Sequence, residues 1–139
     1  MEQRLRAYYI DSQVNNATPG QMLIMLYDCL VEHAENAELQ LSASAGAADL
    51  CSAAKEVTWC INILTELNTC LRHSVQPGLC TTLRDLYLFF MRQLSLALET
   101  RDPARIGKIL PLIRNLRETW IEADRQSAKY EPNAIAVAA

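Results

Sequence analysis

Apolar residues recur at steps of three and four along four stretches of the chain, the spacing of one face of an α-helix. In the first stretch the repeating positions are Leu23, Leu26, Leu30, Ala34, Ala37 and Leu41. The four stretches predict helices over about residues 18–44, 47–73, 79–100 and 102–127. Helices of similar length with short connections predict an all-α fold, an antiparallel up-down-up-down four-helix bundle. Residues 18–128 would form this bundle, residues 1–17 an N-terminal arm and residues 129–139 a flexible tail.

Residues that start or stop helices separate these stretches. Thr18 and Gln21 have the spacing of a capping box, in which each side chain binds the other residue's backbone N–H. Pro19 between them suits the first helical position. Gly46 ends the first stretch, and Pro77-Gly78 separates the second from the third. These signals agree with the boundaries that the apolar pattern predicts.

The fourth stretch opens with a cap and a proline at Asp102-Pro103. Pro111 then falls about two turns inside the predicted helix, where proline deletes a backbone hydrogen bond and crowds the carbonyl four residues earlier. That residue is Gly107, which has no side chain to obstruct a bend. We therefore expect a kink at this point of the fourth helix.

The chain has more apolar surface than one core requires. Residues 86–91 read Leu-Tyr-Leu-Phe-Phe-Met, apolar on every side of a helix. Further apolar residues lie outside the main stripes of the first two helices: Met22, Met25, Tyr27, Cys29, Trp59, Cys60 and Ile63. A soluble bundle helix ordinarily keeps one polar side. The surplus must be covered by the N-terminal arm, a second copy of the chain or a bound partner. Methionine-rich surface is typical of grooves that adapt to varied partners.

Composition and charge exclude several classes of function. The formal net charge is −3, and the 13 basic residues form no run or stripe of the kind that nucleic-acid binding requires. The longest apolar run, residues 86–91, is about a third of the ~20 residues that span a bilayer. The N-terminus has no apolar segment of signal-peptide length, so we expect a cytoplasmic protein without membrane insertion.

The sequence offers little material for catalysis or metal binding. The five cysteines are widely spaced within helical patterns, which is typical of small buried or half-buried side chains in a reducing compartment. Cys70, His73 and Cys80 lack a fourth zinc ligand at ordinary spacing. His73 is expected at the end of the second helix, and His33 near the inward stripe of the first. Because no catalytic motif is present either, we expect no enzyme activity, no cofactor and no metal.

Four blocks in order and in register carry a family resemblance. An arm with Tyr8-Tyr9 precedes Ala17-Thr18-Pro19-Gly20-Gln21-Met22-Leu23-Ile24-Met25-Leu26-Tyr27-Asp28. Later blocks read Ile63-Leu64-Thr65-Glu66-Leu67-Asn68, Leu86-Tyr87-Leu88-Phe89-Phe90-Met91-Arg92-Gln93-Leu94 and Leu116-Arg117-Glu118-Thr119-Trp120. Together they resemble the flagellar export chaperone family FliS over about residues 8–124. The chain departs from the family at Phe90, where the family often has tyrosine, and at Pro111.

The resemblance implies a cytosolic chaperone with an antiparallel helical bundle. Such a protein binds the C-terminal segment of flagellin, prevents premature polymerisation and helps to deliver the subunit to the flagellar type III export gate. By the same resemblance the arm can cover the client site or dock to the gate. The partner-binding residues carried over from the family are Leu5, Tyr8, Pro19, Leu23, Met25, Leu26, Tyr27, Leu67, Leu86, Tyr87, Met91 and Trp120.

Core packing competes with partner binding at each of these apolar positions. An alternative function is a helical adaptor or dimerising regulator that shares the bundle and holds a different protein. That alternative predicts a homodimer in which the surplus apolar surface is buried and flagellin peptides do not bind. A metal-binding or catalytic bundle would need inward-facing Glu and His residues, which the pattern does not provide.

Overall fold

The computed structural model describes residues 17–43 and 47–127, together with the backbone but not the side chains of residues 47 and 48. These residues form four α-helices and no strand. Helix α1 spans Pro19–Ala43, α2 Ala47–Thr69, α3 Pro77–Thr100 and α4 Ala104–Ser127. The prediction of an all-α fold is confirmed. The predicted arm and tail lie outside the described residues.

The capping box at the start of α1 forms as predicted. The backbone N–H of Thr18 donates to Oε1 of Gln21 at 2.9 Å, and the backbone N–H of Gln21 donates to Oγ1 of Thr18 at 3.1 Å. Two backbone donors that the helix leaves unpaired are thereby satisfied. Pro19 occupies the first helical residue, where its missing N–H costs nothing.

The second helix ends at Thr69, four residues before the predicted end at His73. Its last turn tightens, since the backbone N–H of Leu71 donates to the carbonyl of Asn68 at 3.3 Å, a three-residue step. His73 therefore lies exposed in a turn and not at a helix end, so that prediction was wrong. Helix α3 starts at Pro77, two residues before its predicted start.

A three-residue connection, residues 101–103, reverses the chain between α3 and α4. Arg101 takes a left-handed conformation with φ 55°, and its backbone N–H donates to the carbonyl of Ala97. Oδ1 of Asp102 accepts from the backbone N–H of Ala104 at 3.0 Å, as expected of the residue that caps α4. This short connection makes α3 and α4 an antiparallel hairpin.

Each helix packs on two neighbours: α1 on α2 and α4, and α3 on α2 and α4. Pairs of side chains show the direction of α1. His33 binds Glu56 while the carbonyl of Leu30 accepts from Cys60, so residue numbers on α1 and α2 change in opposite directions. The ion pairs from Asp28 and Glu35 of α1 to Arg117 and Arg114 of α4, respectively, have the same opposed order. The helices form a four-helix bundle.

One core runs through the bundle, and its fully buried large side chains are Tyr27, Leu30, Ile63, Leu64, Leu67, Tyr87, Phe90, Leu94, Ile106, Ile109 and Ile113. Burying each side chain of this size contributes roughly 1.5–3 kcal/mol before the entropy of ordering is subtracted. Helix α4 continues through Pro111, whose side chain is exposed. The predicted kink there stays a prediction.

The five cysteines are free thiols. Cys60 and Cys80 are buried, and Cys29 and Cys70 are half-buried, as expected. Cys51 is exposed, so the prediction was wrong for this residue. It lies nine positions before the buried Cys60, which is two and a half helical turns and places it on the outer side of α2. Within the described part of the chain, no helix combines the length and hydropathy needed to cross a bilayer.

Candidate functional site

Three aromatic residues from different sequence blocks meet in the core. The hydroxyls of Tyr27 on α1 and Tyr87 on α3 lie 2.6 Å apart in a hydrogen bond, and both side chains are fully buried. The indole N–H of Trp120 on α4 faces the Tyr27 hydroxyl but makes no hydrogen bond of good geometry. These residues therefore join three helices from inside the bundle.

Burial controls the ionisation of these phenols. It raises the pKa of Tyr27 from 10.0 to about 12, and the hydrogen bond with Tyr87 and the nearby Trp120 N–H offset only part of that rise. The pKa of Tyr87 is raised further, first by burial and then by the neighbouring Tyr27. Burial likewise raises the pKa of the Cys60 thiol, as does the nearby Glu56 carboxylate. None of these groups is set up to act as an acid or a base near neutral pH.

The surface between α1 and α4 is charged. Arg117 binds Asp28, and Nη2 of Arg114 lies 3.0 Å from Oε2 of Glu35. These pairs line an open groove of about 260 Å³ together with Val31, Glu32 and Glu118. Exposed pairs of this kind typically contribute less than about 1 kcal/mol each. They cross the seam between α1 and α4 but add little to its stability.

At the edge between α1 and α2, the ring of His33 stacks on the indole of Trp59 with centroids 5.4 Å apart and planes 7° apart. The His33 ring also binds the Glu56 carboxylate through Nδ1. Its side chain is 21% exposed, as expected for a residue near the inward stripe of α1. Trp59 remains 40% exposed, the largest accessible aromatic surface on this edge.

A band of apolar side chains follows the outside of the α3–α4 hairpin. Leu79, Leu86 and Phe89 share one side of α3, because they are separated by seven and three residues. Leu112 and Leu116 share one side of α4 for the same reason. We call these five residues the α3–α4 face. Its exposed members are Phe89 at 44%, Leu112 at 43% and Leu79 at 37%.

One hydrogen bond shows how the two helices are aligned beneath this face. Nη1 of Arg105 on α4 donates to Oε1 of Gln93 on α3 at 3.2 Å. Two helical turns further from the connection, Leu86 comes level with Leu112 because the helices are antiparallel. The Phe89 ring rests on the buried Phe90 ring, with centroids 6.1 Å apart and planes tilted by 54°. Leu86 and Leu116 pack against the core, whereas Phe89 extends from it.

Comparison with known families decides what this bundle is. A family model described as flagellar protein FliS matches residues 1–127, which is most of the chain. The chain belongs to the FliS family. Membership in this family implies a flagellar export chaperone with flagellin as its partner. Comparison with curated proteins gives no significant match.

The structure explains why the FliS-like blocks recur in register. Tyr27 and Asp28 come from the first block, Tyr87 from the third, and Arg117 and Trp120 from the fourth. Tyr27 binds Tyr87 and lies beside Trp120, while Asp28 binds Arg117. The blocks therefore contact one another inside and across the bundle, so part of the family pattern specifies the fold.

The partner-binding residues predicted from the sequence separate into groups by burial. The buried ones are core residues in this structure: Leu23, Leu26, Tyr27, Leu67, Tyr87 and Trp120. The half-buried ones are Met25, Leu86 and Met91, and Pro19 is exposed. Only Leu86 belongs to the α3–α4 face, and Leu5 and Tyr8 lie outside the described residues. Partner binding by any of them stays a prediction.

Phe89, Leu79 and Leu112 were not among the predicted partner-binding residues. For Phe89 a signal existed, since the run of residues 86–91 is apolar on every side and cannot be buried completely. For Leu112 the signal was weaker, because it follows the inward-facing Leu110 by only two positions and breaks the helical stripe. In the sequence each of these residues is a single exception to the helical pattern. Only the packing of α3 beside α4 brings them together on one surface.

Proposed function

We propose that this protein is a cytosolic chaperone for flagellin. It binds the C-terminal segment of flagellin, prevents premature polymerisation and assists delivery to the flagellar type III export apparatus. The family match over residues 1–127 is the observation that carries this proposal. The accessible α3–α4 face supports it, because a chaperone of this kind must offer apolar surface to a client.

The client segment would bind as an amphipathic helix along the α3–α4 face. Anchors spaced by three, four and seven residues on a helix match side chains lined up along a groove between two helices. A segment that folds on binding loses conformational entropy, so it must bury a large apolar area to bind tightly. Phe89 and Leu112 supply exposed area for such a contact, and half-buried Leu86 and Leu116 form its floor.

Calorimetry with a peptide of the last ~40–50 residues of the host's flagellin tests the proposal. We expect one-to-one binding with a negative heat-capacity change. Phe89→Lys and Leu112→Lys should each weaken binding by about tenfold or more, because each places a charge in the apolar contact. Both positions are more than two-fifths exposed, so these variants should still fold. Circular dichroism checks the fold.

Leu39→Lys is the matched control. Leu39 on α1 is 66% exposed and lies outside the α3–α4 face, so the same change of charge there should leave affinity unaltered. Loss of binding in all three variants would assign the effect to net charge and contradict the proposed site. No binding of any host flagellin by the wild-type chain would overturn the function itself.

The exposed apolar side chains also fit the adaptor alternative, in which a second copy of the chain covers them. In that case sedimentation equilibrium would give a stable homodimer, and Phe89→Lys would produce monomers. The chaperone proposal expects wild-type protein that stays monomeric at the concentrations used for calorimetry, with the face free for the client.

A further inference from the structure

Positive charge is concentrated at one end of the α3–α4 face. Arg101, Arg105 and Lys108 all lie at or within two turns of the connection between the helices. Within the described residues, Arg101 and Lys108 make no ion pair, and both are exposed. Nε of Arg105 is 4.0 Å from Oδ2 of Asp102 and makes no hydrogen bond, although the atom is buried. Two further carboxylates lie near this end, exposed Glu99 in the last turn of α3 and Glu38 of α1 beside Gly107, but neither makes an ion pair with Arg101 or Lys108.

The opposite end of α4 is different. Its arginines are paired: Arg117 binds Asp28 and Glu118 on the side of α4 that faces α1, and Nη2 of Arg125 lies 2.6 Å from Oε1 of Glu122. On α3, at the same end of the face, Nη2 of Arg84 lies 3.2 Å from Oδ1 of Asp85. Asp124 adds a further carboxylate there. At the connection end Oδ1 of Asp102 is already bound to the backbone N–H of Ala104. The face therefore has unpaired cations at the connection end and paired cations at the other end.

We propose that the α3–α4 face binds an amphipathic helix in one orientation, with acidic residues of the partner next to Arg101 and Lys108. This inference rests on the proposed function for the identity of the natural partner, but the chemistry it requires is general. An apolar face alone binds an apolar stripe in either direction along its length. Unpaired cations at one end favour a partner with carboxylates at the matching end, and such complementarity fixes register and speeds association.

The first test uses a pair of synthetic helical peptides in place of flagellin. Both carry the same apolar stripe; one ends in three glutamates, and in the other these are glutamines. At low salt we expect the glutamate peptide to bind about fivefold more tightly or better, with the preference shrinking at 0.5 M salt as exposed charges are screened. Equal affinities, or no binding of either peptide, would overturn the inference.

Charge reversal on the protein locates the effect. Arg101→Glu combined with Lys108→Glu should abolish the preference for the glutamate peptide. Lys55→Glu combined with Arg72→Glu is the matched control, since these exposed cations lie on α2 and in the turn after it and give the same change in net charge. The control must keep the preference. Loss of the preference in both double variants would mean that only net charge matters, which contradicts the inference.

A nitroxide on the peptide establishes the orientation directly. Placed at the glutamate end, it should broaden the amide signals of residues 101–108; placed at the other end, those of residues 119–123. The reverse pattern, or broadening of both sets from either position, would contradict the inference.

The flagellin peptide then separates the two proposals. If it binds and the double reversal leaves its affinity unchanged, the orientation is wrong and the chaperone function stands. If it fails to bind while the glutamate peptide shows the expected preference, the orientation stands and the flagellin assignment is wrong.

Discussion

At the scale of single residues, the Tyr27–Tyr87 hydrogen bond is the most consequential contact in the core. Both hydroxyls are inaccessible to water, and each depends on the other for a partner. Removing one hydroxyl leaves the other buried with at most the distorted approach of the Trp120 N–H. An unsatisfied buried polar group costs more than a hydrogen bond ordinarily contributes.

We therefore expect Tyr87→Phe to lower the free energy of unfolding by about 1–3 kcal/mol in urea titrations. Tyr27→Phe should have a similar effect. The double variant should lose less than the sum of the two, because it removes both partners together and leaves neither phenol stranded. Strict additivity of the two losses would show that the hydroxyls do not depend on each other.

At the scale of the helices, the sequence predicted which segments are helical but not every boundary. The α1 start was predictable because the capping box is a local signal in adjacent residues. The α2 end was not, because Leu71 is 8% exposed and continues the apolar stripe after the helix has stopped at Thr69. The apolar repeat in the sequence indicates which residues are buried, but it does not distinguish a buried residue in a turn from one in a helix.

Pro111 lowers the stability of helix α4. It cannot donate to the carbonyl of Gly107, and its exposed side chain contributes no core packing. We expect Pro111→Ala to raise the free energy of unfolding by about 1 kcal/mol or more, since alanine restores the hydrogen bond and favours the helix. Thermal unfolding with circular dichroism measures this. A fall in stability would mean that the surrounding packing requires the proline backbone geometry.

At the scale of the whole molecule, the candidate site could be predicted only in part. The surplus of apolar residues was visible in the sequence, but Tyr27, Cys60 and Ile63, predicted outside the main stripes, are fully buried, so that prediction was wrong for them. The division between core and surface was not visible: Tyr87 and Phe89 are two residues apart in one apolar run, yet Tyr87 is fully buried and Phe89 is 44% exposed. Which side of α3 faces α4 depends on packing among all four helices. The apolar pattern of the α3 segment alone does not contain that information.

Alkaline pH should destabilise the molecule as a whole. Burial raises the folded-state pKa of Cys60 above the ordinary 9.0 and that of Tyr27 from 10.0 to about 12, so the folded state favours the protonated thiol and phenol. Their contribution to stability is complete below pH 9. The contribution of Cys60 falls as the pH rises above 9, the ordinary thiol pKa, and that of Tyr27 falls between pH 10 and 12. We expect the free energy of unfolding to fall by about 1 kcal/mol or more between pH 9 and 11. Urea titrations across this range measure it, and the Cys60→Ala variant should show a flatter profile.

The Tyr27–Tyr87 bond has a further consequence for the lifetime of the folded chain. Its two residues are 60 positions apart in the sequence, so they can meet only after a long loop has closed. Because loop closure costs entropy, we expect this contact to form after the local turns of the helices and the tight α3–α4 connection. An interaction that is absent from the folding transition state does not accelerate folding but slows unfolding. We therefore expect Tyr87→Phe to raise the unfolding rate in stopped-flow measurements while leaving the folding rate nearly unchanged, so that the bond between α1 and α3 prolongs the lifetime of the folded bundle.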